Sequence, residues 1–490
     1  MIKTRFAPSP TGFLHVGSLR TALFEYLFAK NQNGKFLLRV EDTDRERYVE
    51  GGVENMLYSL AWAGIEPDEG VILEDYNIAQ TGENGPYIQS ERLDIYKKYL
   101  DQLLDQGHAY HCFCTKERLD ELREYQQVNK MAPGYDGHCR EIPLEEAKKR
   151  VEAGEEYIVR MKMPKDGVTV IKDIVRGEIE FKNQLVDDQV LLKADGFPTY
   201  HLAVIIDDHL MEVTHIIRGE EWLPSTPKHI QLYKMFGWDL PQYAHLSLLV
   251  NEKKQKLSKR HGHVSVRDYI DAGYLPEAMV NFIAFLGWNP GDEREIFSLE
   301  QLIKEFDFNK VSKAPAVFNL DKLDWYNQQY IRSMDLDDLV EACKPFLVNA
   351  GLDIGHTDID LEQVVALEKE RMNKLSDLPE AVGFIFAGKL EYDSELLIWK
   401  KSDKQTTKKN LEILKDYLST FSVQDWDKEK LEQGIVEWVK TNELTNGEVL
   451  WPMRVALSGR KNSPGPFEIA GVLGKEKVLQ RIEEAIRIVV

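Results

Sequence analysis

The first forty residues constrain this chain most. Lys3–Ala7 has the texture of a short strand and stops at Pro8, and a Pro/Gly-rich loop then runs to Gly17. Leu19, Ala22, Leu23, Tyr26 and Leu27 follow at helical spacing, which predicts an amphipathic helix. Phe36–Val40 (FLLRV) is a second apolar run of strand length, with Glu41 at its end. Residues 53–63 and 92–104 carry the helical spacing again. A strand–helix–strand rhythm of this kind predicts a parallel sheet with right-handed crossovers.

At 490 residues the chain has room for about three domains. Residues 112–200 change character. Cysteines cluster there, and β-branched runs occur at Val168–Val175 and Gly177–Phe181, which predicts an inserted α+β module. The apolar run His201–Asp207, with Leu202–Ile206 at its centre, reads as a strand buried on both faces. Trp222–Trp238 reads as helical, and together they predict a second half of the same sheet. From about Leu320 the texture is helical, with Glu/Lys/Leu-rich stretches at Leu361–Leu378 and Lys408–Leu418.

With 62 Lys+Arg against 82 Asp+Glu, the net charge is −20, so bulk positive charge does not hold a nucleic acid here. A local basic patch still can. Four cysteines cannot staple a secreted fold of this length. The N-terminus MIKTRFAPSPTG lacks the apolar core of a signal peptide, and no apolar run approaches the roughly 20 residues that span a bilayer. The expected location is the cytoplasm.

Two segments carry chemistry. In the first, Ala7 to Ser18 (APSPTGFLHVGS), a strand gives way to a loop and then to a helix start. Backbone N–H groups at a helix start lack partners and favour phosphate. Gly17 permits close backbone approach, and His15 can donate to an oxygen gaining negative charge. A plain strand–helix turn capped by Ser18 is the bland alternative. The second segment, Lys253 to Gly262 (KKQKLSKRHG), is a dense basic patch in an acidic protein. It is either a solvated loop or a polyphosphate site whose anion relieves the repulsion among its lysines.

Together the two segments resemble the paired signatures of class I aminoacyl-tRNA synthetases. His15-Val16-Gly17-Ser18 resembles the HIGH motif, and Lys256-Leu257-Ser258-Lys259-Arg260 resembles KMSKS. LRVEDTDRERY (38–48), FPTYHLAVIIDDHLM (197–211), IIRGEEWLPSTPKHIQLYKMFGW (216–238) and FNLDKLDWYNQQYIR (318–332) narrow the likeness to the bacterial glutamyl-tRNA synthetases. It is strong over residues 1–335 and weaker beyond. Ser18 replaces the last His of the first motif, and the second reads KLSKR; both are usual variants in that family.

The resemblance implies an α/β Rossmann-like catalytic domain with an inserted α+β module, followed by an all-helical C-terminal anticodon-binding half. The implied boundaries are 1–111 and 201–250 for the catalytic halves and 112–200 for the acceptor-stem module. A stem-contact region over 251–325 carries the KLSKR loop, and the anticodon-binding region covers 326–490. It implies ATP-dependent activation of L-glutamate and transfer to tRNA(Glu), with Mg²⁺ accompanying the nucleotide, by a chain expected to be a monomer. His15, Lys256 and Lys259 are the implied catalytic residues, with Gly17 and Ser18 beside ATP. Arg5, Ser9, Glu41, Tyr200 and Arg218 form the implied glutamate pocket, where an arginine fork suits a carboxylate and Glu41 suits the ammonium. For Arg5 and Arg218 the competing reading is a structural ion pair. Asp42, Asp44, Asp207 and Asp208 stay outside the catalytic set, because capping and solvated loops account for them.

Cys112, Cys114 and Cys139 would satisfy tetrahedral zinc with one further N or O donor, or are three reduced thiols of a small module with no metal. The resemblance implies Tyr135 as the fourth ligand of a structural Zn²⁺, with His138 as the alternative. Cys343 reads as a core residue. Candidate tRNA contacts are the Lys253–Arg260 loop, Arg332, Lys400–Lys401, Lys408–Lys409, Arg454 and Arg460–Lys461; each is equally readable as a solvated charge. A glutaminyl-tRNA synthetase would carry a β-barrel C-terminal half, and a small nucleotidylyltransferase would lack a long helical one.

Overall fold

The computed structural model describes residues 1–75, 77–257, 265–355 and 359–489. The chain separates into two compact units, Met1–Ile270 with Pro276–Leu320, and Asp271–Leu275 with Asp321–Val490.

The first unit opens with β1 (Lys3–Phe6), α1 (Val16–Asn31), β2 (Lys35–Leu38), α2 (Gly52–Trp62), β3 (Glu69–Glu74) and β4 (Asn77–Thr81). β1, β2 and β3 run parallel in that order, and β4 returns antiparallel on β3. Next come α3 (Leu93–Asp105), β5 (Ala109–Cys112), α4 (Lys116–Val128), α5 (Leu144–Glu152), β6 (Ile158–Met161), β7 (Val168–Asp173), β8 (Gly177–Lys182) and β9 (Val190–Leu192). β5, β6 and β9 form a small antiparallel sheet. After α6 (Tyr200–Leu210), β10 (His215–Gly219), α7 (Thr226–Phe236), β11 (Gln242–Leu246) and β12 (Leu249–Val250) complete the pattern. The β7–β8 hairpin does not stay with the small sheet. It pairs on β11 and gives a sheet in the order β10-β11-β7-β8. Thr214 N donates to Lys3 O at 2.9 Å, which brings β10 alongside β1.

Two elements differ from their sequence reading. The run His201–Asp207 is the middle of helix α6, not a strand. Every residue from Leu202 to Asp208 is buried, so no polar face interrupts the apolar run, and periodicity cannot separate a buried helix from a buried strand. Likewise α1 is covered on nearly all sides, because α8 (Val266–Asp271), α9 (Pro276–Ala284) and α10 (Leu299–Glu305) follow in the same unit and α9 and α10 pack on α1. Phe24 meets Phe306 with ring centres 5.2 Å apart, and Phe28 meets Phe308 at 4.8 Å. Glu25 is therefore buried and needs a partner inside the core. β13 (Ala316–Val317) pairs with β12.

The second unit is helical, as expected: α11 (Leu320–Ser333), α12 (Leu336–Asn349), α13 (Leu361–Glu368), α14 (Leu378–Phe386), α15 (Lys404–Ser419), α16 (Lys428–Thr441), α17 (Asn446–Ser458) and α18 (Pro466–Ile488). The stretch Leu361–Leu378 is not one helix, since α13 ends at Glu368. Cys343 is buried on α12. Arg481 on α18 is buried, and among the described residues no carboxylate pairs with its guanidinium. It donates to Phe384 O at 2.6 Å and Ala387 O at 3.0 Å, and also to Leu457 O, so it caps the ends of α14 and α17.

Candidate active site

A cavity of about 890 Å³ opens where β1, β2 and β10 end and α1 begins. His15, Gly17, Ser18 and Lys256 line one part of it. Arg5, Ser9, Glu41, Tyr200 and Arg218 line the rest. These residues are up to 251 positions apart in the chain and share one space. Lys259 lies outside the described residues.

His15 is the N-cap of α1. Its Nδ1 accepts from Gly17 N at 3.1 Å, and Ser18 Oγ lies 3.3 Å from Nε2. With Nδ1 accepting, a neutral ring carries its hydrogen on Nε2. A Cβ at Gly17 would stand 2.9 Å from His15 Cε1 and displace that ring. The basic segment is anchored at both ends. Lys256 bridges to Val250, and beyond the segment Ser265 bridges to His15 while Val266 N donates to Leu14 O at 2.8 Å. Arg20, which the sequence reading did not single out, holds the same region together. It is buried on α1 and donates to Leu286 O at 3.2 Å and to Ser247 O. Burial pushes its pKa down to about 10, against the pull of Glu221 and Glu220. Nothing local marks Arg20 out from a surface helix arginine; only the fold reveals its partners.

The two candidate carboxylate-binding arginines sit in opposite surroundings. Arg5 donates to Asp208 at 3.1 Å and lies 3.5 Å from Glu25. Arg39, fully buried, lies 2.8 Å from Asp208 and donates to Glu41 Oε1 at 2.9 Å. Arg92 donates to Asp207 at 2.7 Å, and Tyr96 and Gln89 donate to the same carboxylate. Asp207 and Asp208 are thus core ion-pair members, which corrects their reading as caps or solvated loops. Asp42 accepts from Ser90 N at 2.8 Å and from Ser90 Oγ, while Asp44 pairs with Arg47. Burial raises the pKa of Glu41, opposed by Arg39, and raises that of Glu25 well above the carboxylate range, opposed by Arg5.

Among the described residues, no carboxylate sits on the fork of Arg218. Its partners are His245 Nε2 at 3.1 Å, Tyr200 Oη at 3.0 Å, Thr226 Oγ1 at 2.8 Å and His229 Nδ1 at 3.4 Å. Burial, and then Arg218 itself, holds His229 well below its ordinary pKa. Burial also lowers His245. Arg218 is therefore a buried cation among neutral groups, facing a cavity into which an anion fits.

In the module before β6, the sulfurs of Cys112, Cys114 and Cys139 lie within 4.8 Å of one another. Tyr135 Oη is 3.3 Å from Cys112 Sγ and 3.4 Å from Cys114 Sγ. Three thiols and a phenol converge on one point, a donor set that suits a tetrahedral thiophilic ion. His138 stands outside this cluster; its backbone N donates to Asp136. In the helical unit, Arg332 is engaged with Glu370 at 3.2 Å. Arg454 lies 4.7 Å from the centre of the Trp451 ring, and Arg460 donates to Glu380 O at 2.6 Å. Lys400, Lys401, Lys408 and Lys409 are exposed.

Residues 1–325 match the catalytic domain of class I tRNA synthetases (E and Q), and residues 338–486 match an anticodon-binding domain. Among curated proteins, the glutamate–tRNA ligase of Finegoldia magna is 46% identical over 99% of both chains, and that of Alkaliphilus metalliredigens is 46% identical over 98% of both. A crystal structure of a glutamate tRNA ligase from Elizabethkingia meningosepticum, in complex with its amino acid, superposes with a TM-score of 0.90 at 38% identity and covers all of both chains.

Proposed function

The chain belongs to the glutamate–tRNA ligases among the class I tRNA synthetases, and from that membership we propose how its cavity works. A carboxylate oxygen of the glutamate α-carboxyl attacks the α-phosphorus of ATP, and the bond to the β-phosphate oxygen breaks to release pyrophosphate. A terminal ribose hydroxyl of tRNA(Glu) then attacks the glutamyl carbonyl of the adenylate. AMP leaves, and the hydroxyl proton goes to solvent.

The protein's part is positioning and charge stabilisation. His15 Nε2–H and Lys256 face the phosphates, and Lys259 is assigned to them as the second lysine of the motif. Gly17 and Ser18 leave the nucleotide room beside the helix start. Arg218 and Tyr200 take the side-chain carboxylate with Arg5 and Ser9 beside them, and the Oε2 edge of Glu41 takes the ammonium, since Arg39 occupies Oε1. Mg²⁺ would accompany ATP, bound by the phosphate oxygens. Cys112, Cys114, Cys139 and Tyr135 would hold Zn²⁺, which when bound locks the module around β5. The domain limits expected from the sequence belong to this proposal, except that residues 168–182 extend the sheet of β10 and β11.

The observation that carries the reading is the single cavity shared by His15, Lys256 and Arg218. The test is aminoacylation with ATP, tRNA and labelled glutamate or glutamine. Glutamate charging is expected; glutamine charging, or none by a folded protein, overturns it. Protein purified without chelator should contain about one zinc per chain and lose it in Cys139→Ser. A stable, metal-free preparation would remove the zinc assignment.

A further inference from the structure

We propose that Asp173, which does not line the cavity, sets the hydrogen-bond polarity of the pocket through His245, and so selects a carboxylate over a carboxamide. This rests on the reading of Arg218 and Tyr200 as pocket residues.

Asp173 closes β7 opposite Tyr243 and is buried. Its Oδ1 accepts from Val175 N at 3.0 Å and Arg176 N at 2.8 Å. Its Oδ2 accepts from His245 N at 3.0 Å and lies 2.6 Å from His245 Nδ1. A carboxylate ringed by N–H groups only accepts, so His245 carries its hydrogen on Nδ1 and leaves Nε2 bare. Arg218 Nε–H donates into that bare nitrogen. A guanidinium has no acceptor, so its other contacts are donations too, to Tyr200, Thr226 and His229. His229 Nδ1 accepts, which puts its hydrogen on Nε2, 3.0 Å from His201 Nδ1.

Tyr200 Oη receives from Arg218, and among the described residues it donates to none, so its one hydrogen remains for the cavity it lines. Burial keeps that phenol protonated, against the pull of Arg218. At the end formed by Arg218 and Tyr200, the ligand side chain therefore meets donors only. A carboxylate offers acceptors only and satisfies them. A carboxamide turns its own N–H groups toward N–H and O–H, and such mismatches discriminate by about 10⁴-fold or more. Removing the Asp173 charge frees His245 to carry hydrogen on Nε2, which opposes Arg218 donor to donor. Asp173 is thus a positioning residue.

Two measurements test this. In the wild-type full chain labelled with ¹⁵N-histidine, His245 should show hydrogen on Nδ1 and a bare Nε2 at neutral pH; hydrogen on Nε2, alone or with Nδ1, overturns the proposal. In kinetics, Asp173→Asn should lower the glutamate-over-glutamine ratio of kcat/KM by about 10- to 100-fold, through KM for the amino acid and not for ATP. His245→Gln, whose side-chain oxygen can reach the Nε2 position, should keep most of that ratio. An unchanged ratio in Asp173→Asn, or equal rises in KM for glutamate and ATP, overturns it. If Asp173→Asn does not fold, the histidine spectrum of the wild type decides. Arg218→Ala separates the two readings: glutamate KM unmoved by it defeats the pocket itself, whereas an effect of Arg218→Ala with none of Asp173→Asn defeats only the role of Asp173.

Discussion

The cavity has two cationic walls built on opposite plans. On the β1–β2 side, Arg5 lines the cavity and Arg39 and Arg92 stand behind it, all buried against Glu25, Glu41, Asp207 and Asp208. On the β10–β11 side, Arg218 is equally buried, yet its hydrogen bonds go to a tyrosine, a threonine and two histidines. The first wall holds its counter-charge groups within the fold, as a scaffold does. On the proposed reading, the second reaches charge balance only when an anion enters. Buried ion pairs contribute little net stability but are costly to break on one side, whereas an uncompensated cation lowers stability and raises affinity.

The contrast can be broken from either wall. Asp208→Ala strips a carboxylate from both Arg5 and Arg39 and should cost about 3–5 kcal/mol in the unfolding transition of the first unit. A loss in urea melts below 1 kcal/mol would show that the β1–β2 network is not a scaffold. Arg218→Ala should lower kcat/KM for glutamate by about 100- to 1000-fold, or about 3–4 kcal/mol, while costing less than half the stability lost in Asp208→Ala. The reverse ranking would erase the distinction between the walls.

The smallest effect, counted per histidine and per pH unit, is a pH slope. Burial, then Lys228 and Arg218, pushes the His201 pKa down to about 3, and His229 is also held well below its ordinary value. The unfolded chain takes up these protons near pH 6.5 and the folded chain does not. Their contribution to stability is full above pH 6.5 and falls as pH drops from there toward 3. Each histidine adds up to about 1.4 kcal/mol per pH unit over that range. Chemical denaturation between pH 7 and 5 should show the decline, and His201→Gln should remove one proton of its slope. Flat stability would mean that charged histidines already surround Arg218.

Much of this was legible in the chain itself. The strand, loop and helix around Ala7–Ser18 and the basic segment near Lys256 are local patterns, and local patterns survive into the fold. So does the cysteine cluster, because Cys112 and Cys114 are near neighbours and Cys139 lies only 25 positions from Cys114. Helix α6 was misread because burial on every side removes the polar stripe that reports a helix. The pairing of Arg5 with Asp208 spans 203 positions, and Arg218 with His245 joins two strands. No spacing rule reports such contacts, so Asp207 and Asp208 looked like surface acids. Asp173, His229 and His245 gave no signal at all for the same reason.

The path of the β7–β8 hairpin bears on how this chain can be recombined. By position it belongs to the stretch between residues 112 and 200, yet its strands extend the sheet of β10 and β11. Cutting out that stretch as a cassette, or swapping it with a relative's, would carry off a plank of the catalytic floor along with the cysteine-bearing lobe. A transplant that leaves residues 168–182 in place should keep the host's catalytic core whole, and one that takes them should not.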